Sequence, residues 1–428
     1  MRVSEQAPVK LGNSGDAPAR PEPRPLKRVL ALSNCYPFPP TNGIALRVCA
    51  ILQGLAASGH EIELLCFGDP AAAGQDQGKA LEICKAVQII PSPSAGFSKP
   101  AALLRRVAAV PFTRPYGVAR SRSKHMARAI LERLRRQACD VVLCEETDLL
   151  VNVPDHLPVP LIVDHHNAEH VLLERYLAQE TNPFRRAYAW MEGRKVRNWE
   201  RQATLRADVA MVCSDVDRAT YRALCPSAAV IVAPNVIDVA AYTPATSEEP
   251  ETILYAGGMD WYPNRDAVEF FAFSILPQIL RRVPGARFVI AGRNPTPEFL
   301  RRFAGIPSIE FTGAVPDMRP QIARAAVCVV PLRIGSGTRL KILEAAAMAK
   351  PVVSTSLGAE GLDFADGSEI LLADGLESFA SAVVDLLNDV QRRHSLGAAS
   401  RRRVEHSYSL ATLQAALRDT IGALAPRF

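Results

Sequence analysis

Short runs of apolar and β-branched residues alternate along this chain with longer stretches of 3.6-residue period, the pattern of βαβ units on a parallel sheet. In the first half it predicts strands over Arg28–Asn34, Glu61–Cys66, Val87–Ile90, Asp140–Cys144, Pro160–Asp164, Asp208–Cys213 and Val230–Ala233. Helices are predicted over Ala45–Ala57, Ser121–Gln137, Ala168–Arg206 and Val216–Leu224. A polar, proline-bearing stretch from Pro234 to Glu251 then breaks the rhythm and reads as a domain boundary. Beyond it, strands are expected at Thr252–Ala256, Arg287–Ala291, Ile309–Thr312, Val327–Pro331, Pro351–Ser354 and Ile370–Leu372. The helices between them are expected near Arg265–Arg282, Glu298–Arg302, Met318–Arg324, Leu340–Met348 and Glu377–Asn388.

The expected organisation is a disordered tail over 1–26, a Rossmann-like domain over 27–238, a linker over 239–250 and a second Rossmann-like domain over 251–408. A terminal helix over 409–428 is expected to pack back across the hinge. Two doubly wound α/β domains in series imply a cleft between the carboxyl ends of two sheets, where open α/β folds bind ligands.

Composition narrows the function classes. The 428 residues are 48% hydrophobic and 22% charged, the balance of a globular protein with a real core. A formal charge of +6 is too modest to argue for nucleic acid, and no nucleic-acid partner is expected. No stretch approaches the roughly 18 uninterrupted apolar residues that a spanning helix needs. Residues 1–26 show no apolar h-region of a secretory signal, and the nine cysteines lack CxxC spacing. Both point to a reducing, cytoplasmic setting without disulfides or structural zinc.

The turn after the first strand, "SNCYPFPPTNGIALR", holds Gly43 as its only glycine, so it is not the GxGxxG of a dinucleotide site. The Walker pattern is absent as well. Gly43 and the N–H groups after it open a helix, a natural seat for an anion, although an ordinary turn glycine would read the same way. More informative is "VPLRIGSGTRLKILEAAAMAKPVVSTSLGAEG", a buried strand running into a Gly-Ser-Gly-Thr turn and then a helix. Ser336, Gly337 and Thr338 offer uncrowded backbone donors, Arg339 and Lys341 add cations within one turn, and Glu344 shares a helix face with Lys341. A diphosphate on the loop and a carboxylate on ribose hydroxyls suit this arrangement. Cations at a helix N-terminus oppose the dipole, which counts against a merely solvated face.

These segments resemble the retaining glycosyltransferases of the family-4 group, over nearly all of the chain beyond the tail. "PPTNGIALR", "DHHNAEH", "PNVID" and "GSGTRLKILEAAAMAKPVV" carry the resemblance. It implies the two-domain GT-B architecture, an acceptor-binding N-terminal domain and a C-terminal domain that binds a nucleotide diphosphate sugar. It further implies metal-independent transfer to a glycan or lipid-linked acceptor, with no cofactor beyond the donor substrate. Residue by residue, it places Gly43 beside the donor, Asn42 and Arg47 on the acceptor side, and His166 facing the transferred sugar. Glu344 matches the second glutamate of an E-x7-E pair that holds the ribose, and Ser336 stands where the first would be. Met259 replaces a phosphate-binding arginine, Arg265 lies near the partner lysine's position, and Arg339 and Lys341 supply the missing charge.

Other readings attach to single features. Asp215 and Asp217 could hold a metal under a diphosphate, but Ser214 ahead of them reads better as a helix N-cap. His165, His166 and His170 lack a further ligand and form no zinc pattern. Residues 99–136 carry eleven basic residues against Glu132 as their single acid, interleaved with apolar positions. Such a stretch lies on an anionic membrane, on the inner face, or forms a solvated helix face; RNA is a third option, with no recognisable RNA module to support it. A nucleotide-sugar epimerase of the same architecture, or a non-catalytic nucleotide-sugar-binding partner, would share the loop chemistry.

Overall fold

A computed structural model describes residues 26–71, 77–93, 106, 108–109, 113–244 and 248–425. The tail expected over 1–26 lies outside these apart from Leu26, and so do Lys99 and Arg105 of the basic stretch. Seven strands form the first sheet: β1 Arg28–Ser33, β2 Glu61–Gly68, β3 Ala86–Pro91, β4 Val141–Glu145, β5 Leu161–His165, β6 Val209–Val212 and β7 Val230–Val232. Six form the second: β8 Thr252–Ala256, β9 Arg287–Ala291, β10 Ile309–Gly313, β11 Val327–Val330, β12 Val352–Ser354 and β13 Leu371–Leu372. All pair in parallel, in the orders β3-β2-β1-β4-β5-β6-β7 and β10-β9-β8-β11-β12-β13.

The central strands are buried on both faces, which is why they read as continuous apolar runs rather than alternating ones. Each sheet reverses its winding once, between β1 and β4 and between β8 and β11. The ends of these strands are where side chains from separate loops converge.

Asn42 caps the first helix, Gly43–Ala57, whose buried face includes Val48, Ile51, Leu52 and Leu55. That face packs with Leu413, Leu417 and Ile421 of the last helix, Leu410–Ala423, so the chain's end lies against its beginning. At Gly54 a Cβ would sit 3.0 Å from Leu417 Cδ1, so the glycine lets the two helices approach closely. Between the sheets, Ile237, Leu340, Leu343, Val404 and Tyr408 form a smaller apolar cluster joined by Leu46.

Several helices differ from expectation. The stretch expected as one helix over Ala168–Arg206 is two, Glu169–Gln179 and Pro183–Arg206. Pro183 cannot continue a helix from the preceding turn but is well placed to start one, and Asn182 caps it through Phe184 and Arg185 N–H. Val390–Ser407 is an unforeseen 18-residue helix, since its inward face includes Arg393, Gly397 and Ser400 and so shows no apolar stripe. The basic helix runs from Lys124 to Arg135 and buries its apolar face, Met126, Ala129 and Ile130, in the core. Among the described residues no helix is long and apolar enough to cross a membrane.

Leu417→Ala should destabilise the first domain by about 2–5 kcal/mol, the cost of a buried leucine's lost contacts plus a cavity. Urea unfolding followed by tryptophan fluorescence reads it. A loss below about 1 kcal/mol would detach the last helix from that core.

Candidate active site

The carboxyl ends of β4 and β5 place Glu145 and His166 side by side, with Asp164 one residue short of the strand's end. Glu145 and Asp164 are fully buried and His166 is 8% exposed. His166 Nε2 lies 3.0 Å from Glu145 Oε2 and 3.1 Å from Asp164 Oδ2. Arg47, on the first helix, donates from Nε (2.7 Å) and Nη2 (2.5 Å) to the two Asp164 oxygens. Its Nη1 donates to Ala233 O and to Asn235 Oδ1, each at 3.0 Å.

This cluster is charge-balanced, and its pKa values follow. Burial would neutralise His166, yet its bonds to Asp164 and Glu145 overcome that and raise it to about 10. Asp164 is buried too, but the Arg47 charge and His166 hold it well below the usual carboxylate range. Burial first, then the Asp164 charge, pushes Glu145 up to about 7. At neutral pH the imidazole is therefore a cation that donates through Nε2 and keeps a second N–H, on Nδ1, which bonds nothing. Ligand atoms of Glu145, Asp164 and His166 lie within 4.8 Å of one another, as a metal site would require. Arg47 already takes both Asp164 oxygens, and the imidazole proton fills the space between the carboxylates.

The facing half of the cleft is the turn after β11. Gly337 takes φ +71, and a Cβ there would meet Asn167 Oδ1 at 2.4 Å and His166 O at 2.9 Å. Only glycine lets this turn touch the end of β5. Thr338 Oγ1 accepts from Asn235 Nδ2 at 2.8 Å, and Ser336 Oγ is buried with no partner. Arg339 donates Nη1 to the carbonyls of Ser336 and Gly337, while its buried Nη2 is unpaired. Burial pulls Arg339 down from its ordinary value.

Lys341 Nζ donates to Tyr255 OH at 2.9 Å and to Asn264 Oδ1 at 3.1 Å, and sits 4.0 Å from the centre of the Tyr255 ring. Burial first, then the Arg339 charge, brings Lys341 down to about 7. Glu344 Oε1 accepts from Tyr242 OH at 2.9 Å, and burial raises its carboxyl.

The remaining expected residues are placed as follows. Gly43 faces the second domain, with a Cβ position 3.5 Å from Leu340 Cδ1. Asn42, expected on the acceptor side, uses its amide oxygen to cap the helix through Ala45 N–H. Arg47, also expected there, is 3% exposed and lies behind His166. Arg265 donates to Met259 O on its own turn; the neighbour that reaches Lys341 is Asn264. Met259 is buried in the second core, which leaves no place for the arginine of the family pattern.

Ser214 caps its helix through Asp217 N–H and Asp215 pairs with Arg218, the N-cap reading of that acidic pair. His165 lies 3.1 Å from Thr204 Oγ1, and His170 lies 2.5 Å from Glu200 Oε2, so neither joins His166. Missed from sequence were Glu145, Asp164, Tyr255, Asn264 and the cross-cleft pair of Arg175 with Glu360, at 2.6 and 2.7 Å. Most are single polar residues in apolar runs or loops, a signal without spacing. Arg175 also donates to Gly335 O of the glycine turn, tying both domains at that loop.

Residues 41–241 match the model of Glycosyltransferase Family 4, and residues 250–389 match that of Glycosyl transferases group 1. The chain is 35% identical over 158 residues to a GDP-mannose-dependent alpha-(1-6)-phosphatidylinositol monomannoside mannosyltransferase of Mycobacterium tuberculosis. That match covers 34% of this chain and 41% of the relative. A GDP-mannose-dependent monoacylated alpha-(1-6)-phosphatidylinositol monomannoside mannosyltransferase of Corynebacterium glutamicum is 30% identical over 197 residues, 41% of this chain and 51% of that protein. The chain thus matches about half or less of the length of these curated relatives. Among solved structures, sucrose-phosphate synthase from Thermosynechococcus elongatus superposes with a TM-score of 0.67 at 16% identity, over 92% of this chain and 98% of that one. At that identity the likeness establishes the fold, GT-B.

A bound polyanion favours the protonated form of Lys341, so affinity for a nucleoside diphosphate should fall as pH rises from 7 to 9, by up to about tenfold per unit. Calorimetry should show proton uptake on binding. Lys341→Arg should flatten the slope; a flat profile in the unmodified protein would take Lys341 out of contact with the anion.

Proposed function

The chain belongs to the group 1, family-4 glycosyltransferases, and we propose that it moves a hexose from a nucleoside diphosphate sugar to a glycan or lipid-linked acceptor in polysaccharide or glycoconjugate synthesis. The transfer proceeds with retention and without a metal ion. The observation that carries this reading is the half-buried pair Arg339 and Lys341, which sits at the glycine turn and bonds only carbonyls, a phenol and an amide. Two desolvated cations with unspent hydrogen-bonding capacity suit a ligand with more than one negative charge. GDP-mannose, the donor in the names of the curated relatives, is the first candidate.

In the reaction the glycosidic bond to phosphate loosens and negative charge grows on the departing diphosphate. The turn's N–H groups, the helix dipole, Arg339 and Lys341 are in place for that charge before the reaction begins, which is where electrostatic catalysis is strongest. The departing phosphate oxygen takes the proton of the acceptor hydroxyl on the same face of the sugar. His166, held as a cation by Glu145 and Asp164, presents Nδ1–H beside the reacting sugar. Glu344 holds the ribose, exchanging its bond from Tyr242 for ribose hydroxyls.

A lipid-linked acceptor would bring an anionic surface to the first domain, on the inner face of the membrane. Arg122, Lys124, Arg128, Arg135 and Arg136 are exposed on and beside the Lys124–Arg135 helix. Arg133 is committed to Glu63, and the apolar face is used by the core, so docking would be electrostatic alone.

Lys341→Ala should lower kcat/KM for transfer by roughly 10²-fold or more. Glu344→Ala should act on nucleoside diphosphate affinity instead, because ribose contacts are alike in ground and transition states. NMR of the product anomer tests retention, and transfer that EDTA abolishes and Mn²⁺ restores would overturn metal independence. Co-sedimentation with vesicles should require acidic lipid, fade by about 1 M salt as the Debye length falls to about 3 Å, and vanish in Arg128→Glu/Arg135→Glu/Arg136→Glu. Equal sedimentation with neutral vesicles would return these residues to a solvated face.

A further inference from the structure

The helix Glu169–Gln179 of the first domain reaches across the cleft to the residues that lead into the glycine turn. Arg175 Nη1 donates to Gly335 O at 2.5 Å, and Nη1 and Nη2 donate to the two Glu360 oxygens at 2.6 and 2.7 Å. One turn further along the helix, Gln179 Nε2 donates to Arg333 O at 2.9 Å. Between them the Tyr176 ring stands edge-on to Tyr262, with centroids 5.0 Å apart. Arg339 Nη1 holds the next two carbonyls, Ser336 O and Gly337 O. The turn's backbone is thus gripped by side chains from both domains.

This grip has a consequence for the opposite edge of each peptide. The peptides here are trans, and a planar trans peptide points its N–H opposite to its carbonyl. Holding Gly335 O therefore fixes the direction of the Ser336 N–H. Among the described residues the N–H groups of Ser336, Gly337 and Thr338 meet no acceptor. Ser336 Oγ is also without a partner, on a residue only 5% exposed. Donors left unpaired in such a place call for a ligand.

Glu360 is itself seated by its neighbour. Gly361 takes φ +78, and a Cβ there would meet Ser214 Oγ at 2.8 Å and Thr338 Cγ2 at 2.9 Å. Glycine lets the Glu360 loop lie against both the turn and the first domain. The carboxylate then meets Arg175 fork to fork, an arrangement that fixes direction.

We propose that Arg175 is a positioning residue for the donor: aimed by Glu360, it holds Gly335 O so that the glycine turn presents its N–H groups to the diphosphate. The cations of the donor site belong to the second domain, whereas the set of its backbone donors is completed from the first. The inference rests on the glycosyltransferase reading, and its test keeps the two apart.

GDP and UDP are titrated by calorimetry into the full-length protein, into Arg175→Ala and Arg175→Lys, and into Tyr176→Ala, which removes a cross-cleft contact without touching the turn. Arg175→Ala should bind the nucleotide at least about tenfold more weakly, the weight of one hydrogen bond to a charged group, with Tm unchanged. Arg175→Lys keeps the cation without the fork and should remain at least about threefold weak. With glycine-selective isotope labelling, saturating nucleotide should move the Gly337 amide proton downfield in the unmodified protein and in Tyr176→Ala, and less than half as far in Arg175→Ala. Equal losses in Arg175→Ala and Tyr176→Ala, full affinity in Arg175→Lys, or a Gly337 amide that nucleotide does not move would each overturn the proposal. If neither nucleotide binds the unmodified protein, the glycosyltransferase reading falls, and this inference with it.

Discussion

The cleft depends on one buried ion pair, Arg47 with Asp164, whose side chains are 3% and 0% exposed. Taking both charges out of water costs several kcal/mol per ion, and attraction offsets that only when geometry and remaining hydrogen bonds are complete. Here they nearly are: the guanidinium meets both carboxylate oxygens and gives its free edge to Ala233 O and Asn235 Oδ1. Removing either partner alone would strand a charge, a loss of about 3–5 kcal/mol. The same pair keeps Asp164 ionised and so keeps His166 a cation. Through Asn235, whose amide passes from Arg47 to Thr338, it also reaches the glycine turn of the other domain. A polar chain thus joins the first helix, the end of β5 and the glycine turn.

The two halves of the cleft differ in electrostatic sign. On the second domain burial lowers both Arg339 and Lys341, and the Arg339 charge lowers Lys341 further. On the first, burial raises Asp148 and Glu169, and the Glu146 charge adds to both. The halves meet where Gly337 touches Asn167, and Arg175 with Glu360 closes the arrangement nearby. Those two side chains are 29% and 23% exposed, so the pair is screened by solvent and adds little to stability. The apolar cluster around Leu340 and Tyr408 holds the domains together more firmly.

Alternating apolar runs and helical stretches were enough to place the strands within about a residue or two, because a parallel strand buried on both faces is apolar throughout. The glycine turn with Arg339, Lys341 and Glu344 was legible too, since its chemistry is compressed into nine residues from Ser336 to Glu344. The helix Val390–Ser407 was not, because its buried face includes Arg393, whose Nη1 donates to Leu386 O and Leu387 O and whose Nη2 donates to Glu248. The break before Pro183 is readable from the proline alone, although the helical period runs on across it.

By itself, the sequence determined the two-sheet α/β plan, the family resemblance and the cationic glycine turn, each written in neighbouring residues. Only the tertiary structure decided that Arg47 turns inward to Asp164 instead of facing an acceptor. It alone brought Glu145, Asp164 and His166 together and set Glu146 3.6 Å from the free imidazole nitrogen. The reason is physical: charge state and hydrogen-bond satisfaction depend on burial and on partners up to 188 residues away, as between Arg47 and Asn235, and local spacing carries no record of either.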